Sequence, residues 1–192
     1  DTSASFGDGD SERVLGGLLG SSIARSEVVL ATKAGIGRVG GQRRIDVSRG
    51  ALLRTLDASL ARLGTDHVDL WQVHVWSDEV PLEETLTALD LAISSGRASY
   101  VGVSNYTGWQ AAQAATWQRA VPDRTPIAST QVEYSLLNRR VEAEVVPAAR
   151  ANGLGVLAWA PLARGALTGK YRHGTPADSR AASSHFASYV EP

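Results

Sequence analysis

Five short apolar runs, all built alike, constrain this chain more than any other feature. Val28-Val29-Leu30-Ala31-Thr32-Lys33 is of strand type and ends on polar residues. Val68 to His74, Tyr100 to Asn105, Ser129 to Tyr134 and Gly155 to Trp159 follow the same grammar. Stretches of helical spacing lie between them. Ser48 is a candidate N-cap ahead of Leu52, Leu53, Leu56, Leu60 and Leu63, which recur every three or four residues. Pro81 suits the first turn of a helix carrying Leu82, Leu86, Leu89 and Ile93 and stopped by Gly96. Ala111 to Ala120 and Val141 to Ala151 supply two more, the second closed by Asn152-Gly153. A strand followed by a helix must return to a parallel neighbour, so this alternation predicts an α/β fold with a parallel sheet and helices outside it.

A doubly wound dinucleotide-binding sheet should show G-x-G-x-x-G directly after a strand. Gly35, Gly37 and Gly40 have that spacing after the first run, but with Gly41 they lie beyond Lys33 in a polar loop that does not lead straight into a helix, and they read instead as turn formers. A parallel barrel gathers its reactive side chains at the C-terminal ends of several strands. Lys33, His74, Asn105, Glu133 and Trp159 all stand at such ends, and the barrel is the reading they favour. Each has an ordinary reading when taken alone: a solvated lysine, a hydrogen-bonded structural histidine, an Asn at a turn. Their recurrence at one end of successive strands is what makes them a site.

Composition narrows the function class. The 192 residues and 43% hydrophobic content suffice for one sizeable core. The formal charge of −1 gives no support to nucleic acid or an anionic membrane as partner. No apolar run approaches the ~18 residues of a membrane span. Cysteine is absent, which removes disulfide and thiolate chemistry and suits a reducing cytoplasm. The four His lack ligand spacing, and no metal is expected.

The chain resembles the aldo-keto reductases through a collinear series of motifs: Asp1-Thr2 through Phe6-Gly7-Asp8-Gly9-Asp10-Ser11-Glu12, Leu30-Ala31-Thr32-Lys33, Arg62-Leu63-Gly64-Thr65-Asp66, Gln72-Val73-His74, Val101-Gly102-Val103-Ser104-Asn105, Gln131-Val132-Glu133-Tyr134-Ser135, and Trp159-Ala160-Pro161-Leu162 through Gly169-Lys170-Tyr171. The resemblance implies a (β/α)₈ TIM-type barrel that reduces a small-molecule aldehyde or ketone with NADPH, using Asp, Tyr, Lys and His. Asp1, Lys33 and His74 match three of those places. The Tyr of the pattern D-T-A-x-x-Y-G is here Phe6, which keeps the ring and lacks the hydroxyl that donates the proton. The resemblance also implies that Ser104, Asn105 and Gln131 hold the nicotinamide carboxamide and that Trp159 stacks on its ring. It places Leu162, Arg164 and Leu167 by the pyrophosphate, and Lys170 and Arg180 by the adenosine 2′-phosphate.

Counted on an eight-stranded barrel, Asp1 ends the second strand and the five runs are the third to seventh. Residues 1–192 are therefore expected to form one barrel domain lacking the first and last strands, seen as part of a longer chain; a true five-strand protein would have to cover its edges, for instance by oligomerising. Two function classes follow. One is an NADPH-dependent reductase impaired by Phe6. The other is a non-reducing relative: a cofactor-binding regulatory subunit like the potassium-channel β subunits, or a cyclase or dehydratase in a biosynthetic pathway.

Overall fold

The computed structural model describes residues 1–182; residues 183–192 of the expected domain lie outside the described part. β1 (Ala31–Ala34), β4 (Val68–Val73), β5 (Ala98–Ser104), β6 (Ile127–Glu133) and β7 (Gly155–Trp159) form one sheet in the order β1-β4-β5-β6-β7. Every pairing in it is parallel. Helices α2 (Arg49–Leu63), α3 (Leu82–Ser94), α4 (Gly108–Ala120) and α5 (Val145–Ala151) alternate with the strands, and α1 (Asp10–Ser21) precedes β1. Strand order that follows chain order, with a helix in every crossover from β1 onward, is the winding of an incomplete (β/α)₈ barrel.

The sheet has two chemically distinct faces, because side chains alternate along a strand and register partners share a face. Trp71, Val73, Val101 and Val103 are fully buried with Leu52, Leu56, Leu86, Leu89, Ala111 and Ala114 in the core under the helices. The opposite face carries Lys33, Gln72 and Gly102 in one register row, then Ser104 and Gln131 in the next. That polar face is the inside of the barrel.

Local chemistry explains most boundaries. Ser48 stands at the N-cap position of α2, but its hydroxyl donates to Asp46 Oδ1 at 2.6 Å and caps nothing. The helix stops where Gly64 takes φ +65°. Pro81 proves to be the N-cap of α3 rather than a residue of its first turn. Thr107 and Gln110 form a reciprocal capping box at the start of α4. The expected helix from Val141 becomes a short turn, Arg140–Glu142, followed by α5.

Two elements depart from the sequence reading. The glycine segment after Lys33 is not a loop but an antiparallel hairpin, β2 (Ile36–Val39) with β3 (Gln42–Ile45). Gly40 and Gly41, at φ +57° and +80°, make its two-residue turn. The chain before β1 is also structured: Thr2 N–H donates to the Ala31 carbonyl and Ala4 N–H to the Lys33 carbonyl. Residues 1–4 thus line the edge of β1 that was expected to be open, whereas β7 pairs only with β6 among the described residues.

Candidate active site

Lys33 sits near the C-terminal end of β1 with its side chain 2% exposed. Its Nζ donates to both Asp1 carboxylate oxygens, at 2.8 and 2.7 Å, and to the Thr2 carbonyl at 2.9 Å. The two backbone bonds from residues 2 and 4 to β1 are what bring Asp1 within reach. Burial drives the Lys33 ammonium down from 10.5 to about 8, although the adjacent carboxylate pulls the other way.

His74 follows β4 directly and is buried beside this pair. Its Nδ1 lies 3.0 Å from Ser3 Oγ. Desolvation, then the nearby charges of Lys33 and Arg43, lowers its pKa to about 4, so the imidazole is neutral at physiological pH. The Phe6 ring meets the His74 ring edge-on with centroids 5.9 Å apart and lies 5.5 Å from Lys33 Nζ. Asp1, Phe6, Lys33 and His74 therefore converge, as the motifs predicted. The phenyl ring of Phe6 stands where the D-T-A-x-x-Y-G pattern has a phenol, and it carries no hydroxyl.

The second predicted group lies at the ends of the following strands. Ser104 Oγ donates to the Gln131 carbonyl at 3.0 Å, and Asn105 N–H donates to the same oxygen at 2.8 Å. Asn105 takes φ +56°, a left-handed conformation that Asn tolerates better than most residues. Its Nδ2 donates to the His74 carbonyl at 2.9 Å and to Ser104 Oγ at 3.2 Å, and its Oδ1 accepts from Trp159 Nε1 at 3.0 Å. Asn105 thus ties three strand ends together and keeps little spare capacity. Gln131 is buried, and below it on the same face the Gln72 amide and the Ser129 hydroxyl have no hydrogen-bond partner among the described residues.

Beyond β7 the chain turns sharply. Ala160, Ala163 and Arg164 are non-glycine residues at φ +50°, +48° and +55°, a concentration of strain of the kind found in ligand-clasping loops. Leu162 is exposed and Leu167 half-buried. Arg164 pairs with Glu133 at 3.0 Å and lies 5.4 Å over the Trp159 ring. Lys170 Nζ lies 5.2 Å over Tyr171. Arg180 opens a short turn, Arg180–Ala182. Residues around Trp159 fit the nicotinamide end of a dinucleotide: an aromatic face, a buried amide side chain at Gln131 and a neutral imidazole share one rim.

Three participants are given no role by the motifs. Ser3 carried a signal, since it occupies the Ala place of D-T-A-x-x-Y-G. Arg43 carried none, because it approaches His74 only through the unforeseen hairpin. Gln72 was visible as part of a strand, but its alternation placed no special demand on a polar side chain.

A parallel α/β barrel sheet with Lys, His, Ser-Asn, Gln and Trp gathered at the C-terminal ends of successive strands defines a barrel enzyme-like scaffold with its site on the top face. The sequence matches the profile of the Aldo/keto reductase family over residues 1–191. It is 39% identical over 175 residues to the L-glyceraldehyde 3-phosphate reductase of Escherichia coli K12, covering 90% of this chain and 50% of that protein. It is 36% identical over 183 residues to a probable voltage-gated potassium channel subunit beta of Oryza sativa subsp. japonica, covering 94% and 55%. Among solved structures, the aldo-keto reductase AKR11C1 from Bacillus halodurans in its holo form superposes with a TM-score of 0.76 at 29% identity, covering 92% and 55%. The chain belongs to the aldo/keto reductase family, and it spans about half the length of the curated relatives it matches.

Proposed function

We propose that this chain carries the reactive centre of an NADPH-dependent aldo-keto reductase acting on a small aldehyde or ketone in the cytoplasm. The observation that carries the reading is the buried Lys33 ammonium, clamped by Asp1 and facing the same rim as a neutral His74. A bound reduced nicotinamide supplies the hydride. Gln131, with Ser104 and Asn105 behind it, would hold the carboxamide, and Trp159 would cover the ring. Leu162, Arg164 and Leu167 would flank the pyrophosphate, with Lys170 and Arg180 near the 2′-phosphate, where positive charge favours NADPH over NADH.

Polarisation of the carbonyl falls to His74. A neutral imidazole donates a hydrogen bond without the desolvation cost of a buried cation. Lys33 and Asp1 set the potential around it. Phe6 preserves the pocket wall and removes the phenolic donor, a loss typically worth ~10²–10⁴ in rate.

A second reading rests on that same residue. Phe6, together with similarity to potassium-channel β subunits, favours a cofactor-binding protein that no longer reduces carbonyls, either a regulatory subunit or a cyclase or dehydratase. The test is NADPH binding and turnover with a reactive aromatic aldehyde, in the whole protein and in Lys33→Met. Measurable turnover that the substitution abolishes without loss of NADPH binding supports the reductase. NADPH binding without turnover supports the second reading.

A further inference from the structure

Carbonyl reduction consumes a proton along with a hydride, and Phe6 has none to give. Ser3 supplies a hydroxyl that the D-T-A-x-x-Y-G pattern does not have. Ser3 is fully buried. Its Oγ lies 3.0 Å from His74 Nδ1 and 3.0 Å from Ser5 Oγ, with the Lys33 carbonyl more distant at 3.5 Å. The Ser5 backbone N–H donates to Ser3 Oγ at 3.2 Å. Ser5 itself is only half-buried. A hydrogen-bonded file therefore runs from a partly solvent-exposed hydroxyl, through a buried one, to the imidazole at the rim.

We propose that Ser3 is a positioning and relay residue: the file Ser5–Ser3–His74 carries a solvent proton to the substrate oxygen in place of the missing phenol. The proposal rests on the reductase reading above.

The relay's polarity is the one in which Ser5 donates to Ser3 and Ser3 donates to His74, and donor counting accommodates it. Ser3 has one O–H to donate, and one of its lone pairs is already occupied by the Ser5 N–H. Of its remaining neighbours, His74 Nδ1 and Ser5 Oγ are equally close at 3.0 Å and the Lys33 carbonyl is farther at 3.5 Å; with the Ser5 O–H donating to the second lone pair, the Ser3 O–H is left for Nδ1. A Ser3 O–H donated to Nδ1 holds His74 as the Nε2–H tautomer, so the outward nitrogen is the donor. Burial keeps that ring neutral, which leaves Nδ1 able to accept.

The carbonyl carbon takes a hydride, two electrons and one proton's worth of hydrogen, from a reduced nicotinamide. The carbonyl oxygen, left with a negative charge, takes the Nε2 proton. Ser3 passes its proton to Nδ1, Ser5 passes its own to Ser3, and water restores Ser5. Moving in concert, the groups end neutral, and one solvent proton has been consumed. After the alcohol leaves, water protonates Nε2 and the Nδ1 proton returns outward along the file, restoring the resting tautomer.

The experiment combines kinetics with nitrogen-15 NMR of the His74 ring. In the whole protein, Ser3→Ala should lower kcat for a reactive aromatic aldehyde by roughly ten- to a hundredfold, at or below the lower end of general-acid effects, with KM for NADPH unchanged. Ser3→Thr, which keeps a hydroxyl, should restore most of the loss. In a Phe6→Tyr background the same Ser3→Ala change should cost only a small fraction of it, since a phenol then gives the proton. The resting ring should show the Nε2–H tautomer, and Ser3→Ala should erase that preference. An Nδ1–H ring in the unsubstituted protein overturns the relay whether or not any carbonyl is turned over. Turnover indifferent to Ser3→Ala, or a loss of equal size in both backgrounds, overturns it while leaving the reductase reading intact. An NADPH-binding protein that reduces no carbonyl removes the reading and the relay together.

Discussion

Replacing Phe6 by Tyr puts a hydroxyl back on a ring whose centroid is 5.5 Å from Lys33 Nζ and 5.9 Å from the His74 ring. An unassisted phenol, with a pKa of ~10, is a weak acid near neutrality. Taken at the centroid distance, a lone ammonium at an effective dielectric near 20 would favour the phenolate by about 3 kcal/mol, or roughly two pKa units. The Asp1 carboxylate, 2.7 Å from the ammonium, cancels part of that field, and solvent at the half-exposed ring screens more. The gain should therefore fall near the lower end of general-acid catalysis, about a hundredfold in kcat. Loss of NADPH absorbance with a reactive aromatic aldehyde reads it directly. Lys33→Met in the same background should abolish the gain, because the phenol then loses its neighbouring cation. Unchanged turnover in a folded, NADPH-binding Phe6→Tyr protein would refute the reasoning, and the non-reducing reading would take its place.

Other consequences are structural. Glu12 is fully buried, accepts from Thr32 Oγ1 and pairs with Arg62 Nε at 2.7 Å; Glu12→Ala strands that guanidinium and should cost on the order of 3 kcal/mol in urea unfolding. His74 has its folded pKa lowered from 6.5 to about 4, so below pH 6.5 the unfolded chain takes up a proton that the folded one refuses. Its contribution lowers stability progressively as pH falls from 6.5 towards 4, by up to about 3 kcal/mol; comparing urea midpoints of the protein and of His74→Gln across that range isolates it, and parallel curves would contradict the assignment. Gly102 lies on the crowded inner face, where an added Cβ would overlap Ser129 Oγ and come within 2.9 Å of the Ser129 carbonyl. Gly102→Ala should destabilise by roughly 1–3 kcal/mol in thermal unfolding.

Short apolar runs separated by stretches of helical spacing were enough to read five parallel strands and the helices after β1, because most of the sheet is buried on both faces and each helix on one, although β7 is largely exposed. The strand-end residues were legible for the same reason: in a parallel barrel, position along the strand decides which side chains reach the top face. α1 was not legible. Gly16, Gly17 and Gly20 weaken its intrinsic helicity, yet Gly16 is where it must touch α2, since a Cβ there would lie within 3.0 Å of the Leu63 backbone. The hairpin Ile36–Ile45 is largely exposed on both faces, so it imprints no alternation on the sequence. Arg43 is placed near His74 only by that hairpin. Ser3 and His74 lie 71 residues apart in the chain, and Glu12 and Arg62 lie 50 apart. Such contacts leave no periodic trace. A motif can name the residues of this site, but the direction of its hydrogen bonds, and the burial that makes His74 neutral and Lys33 a weaker base, exist only once the strands have brought distant polar groups together out of water.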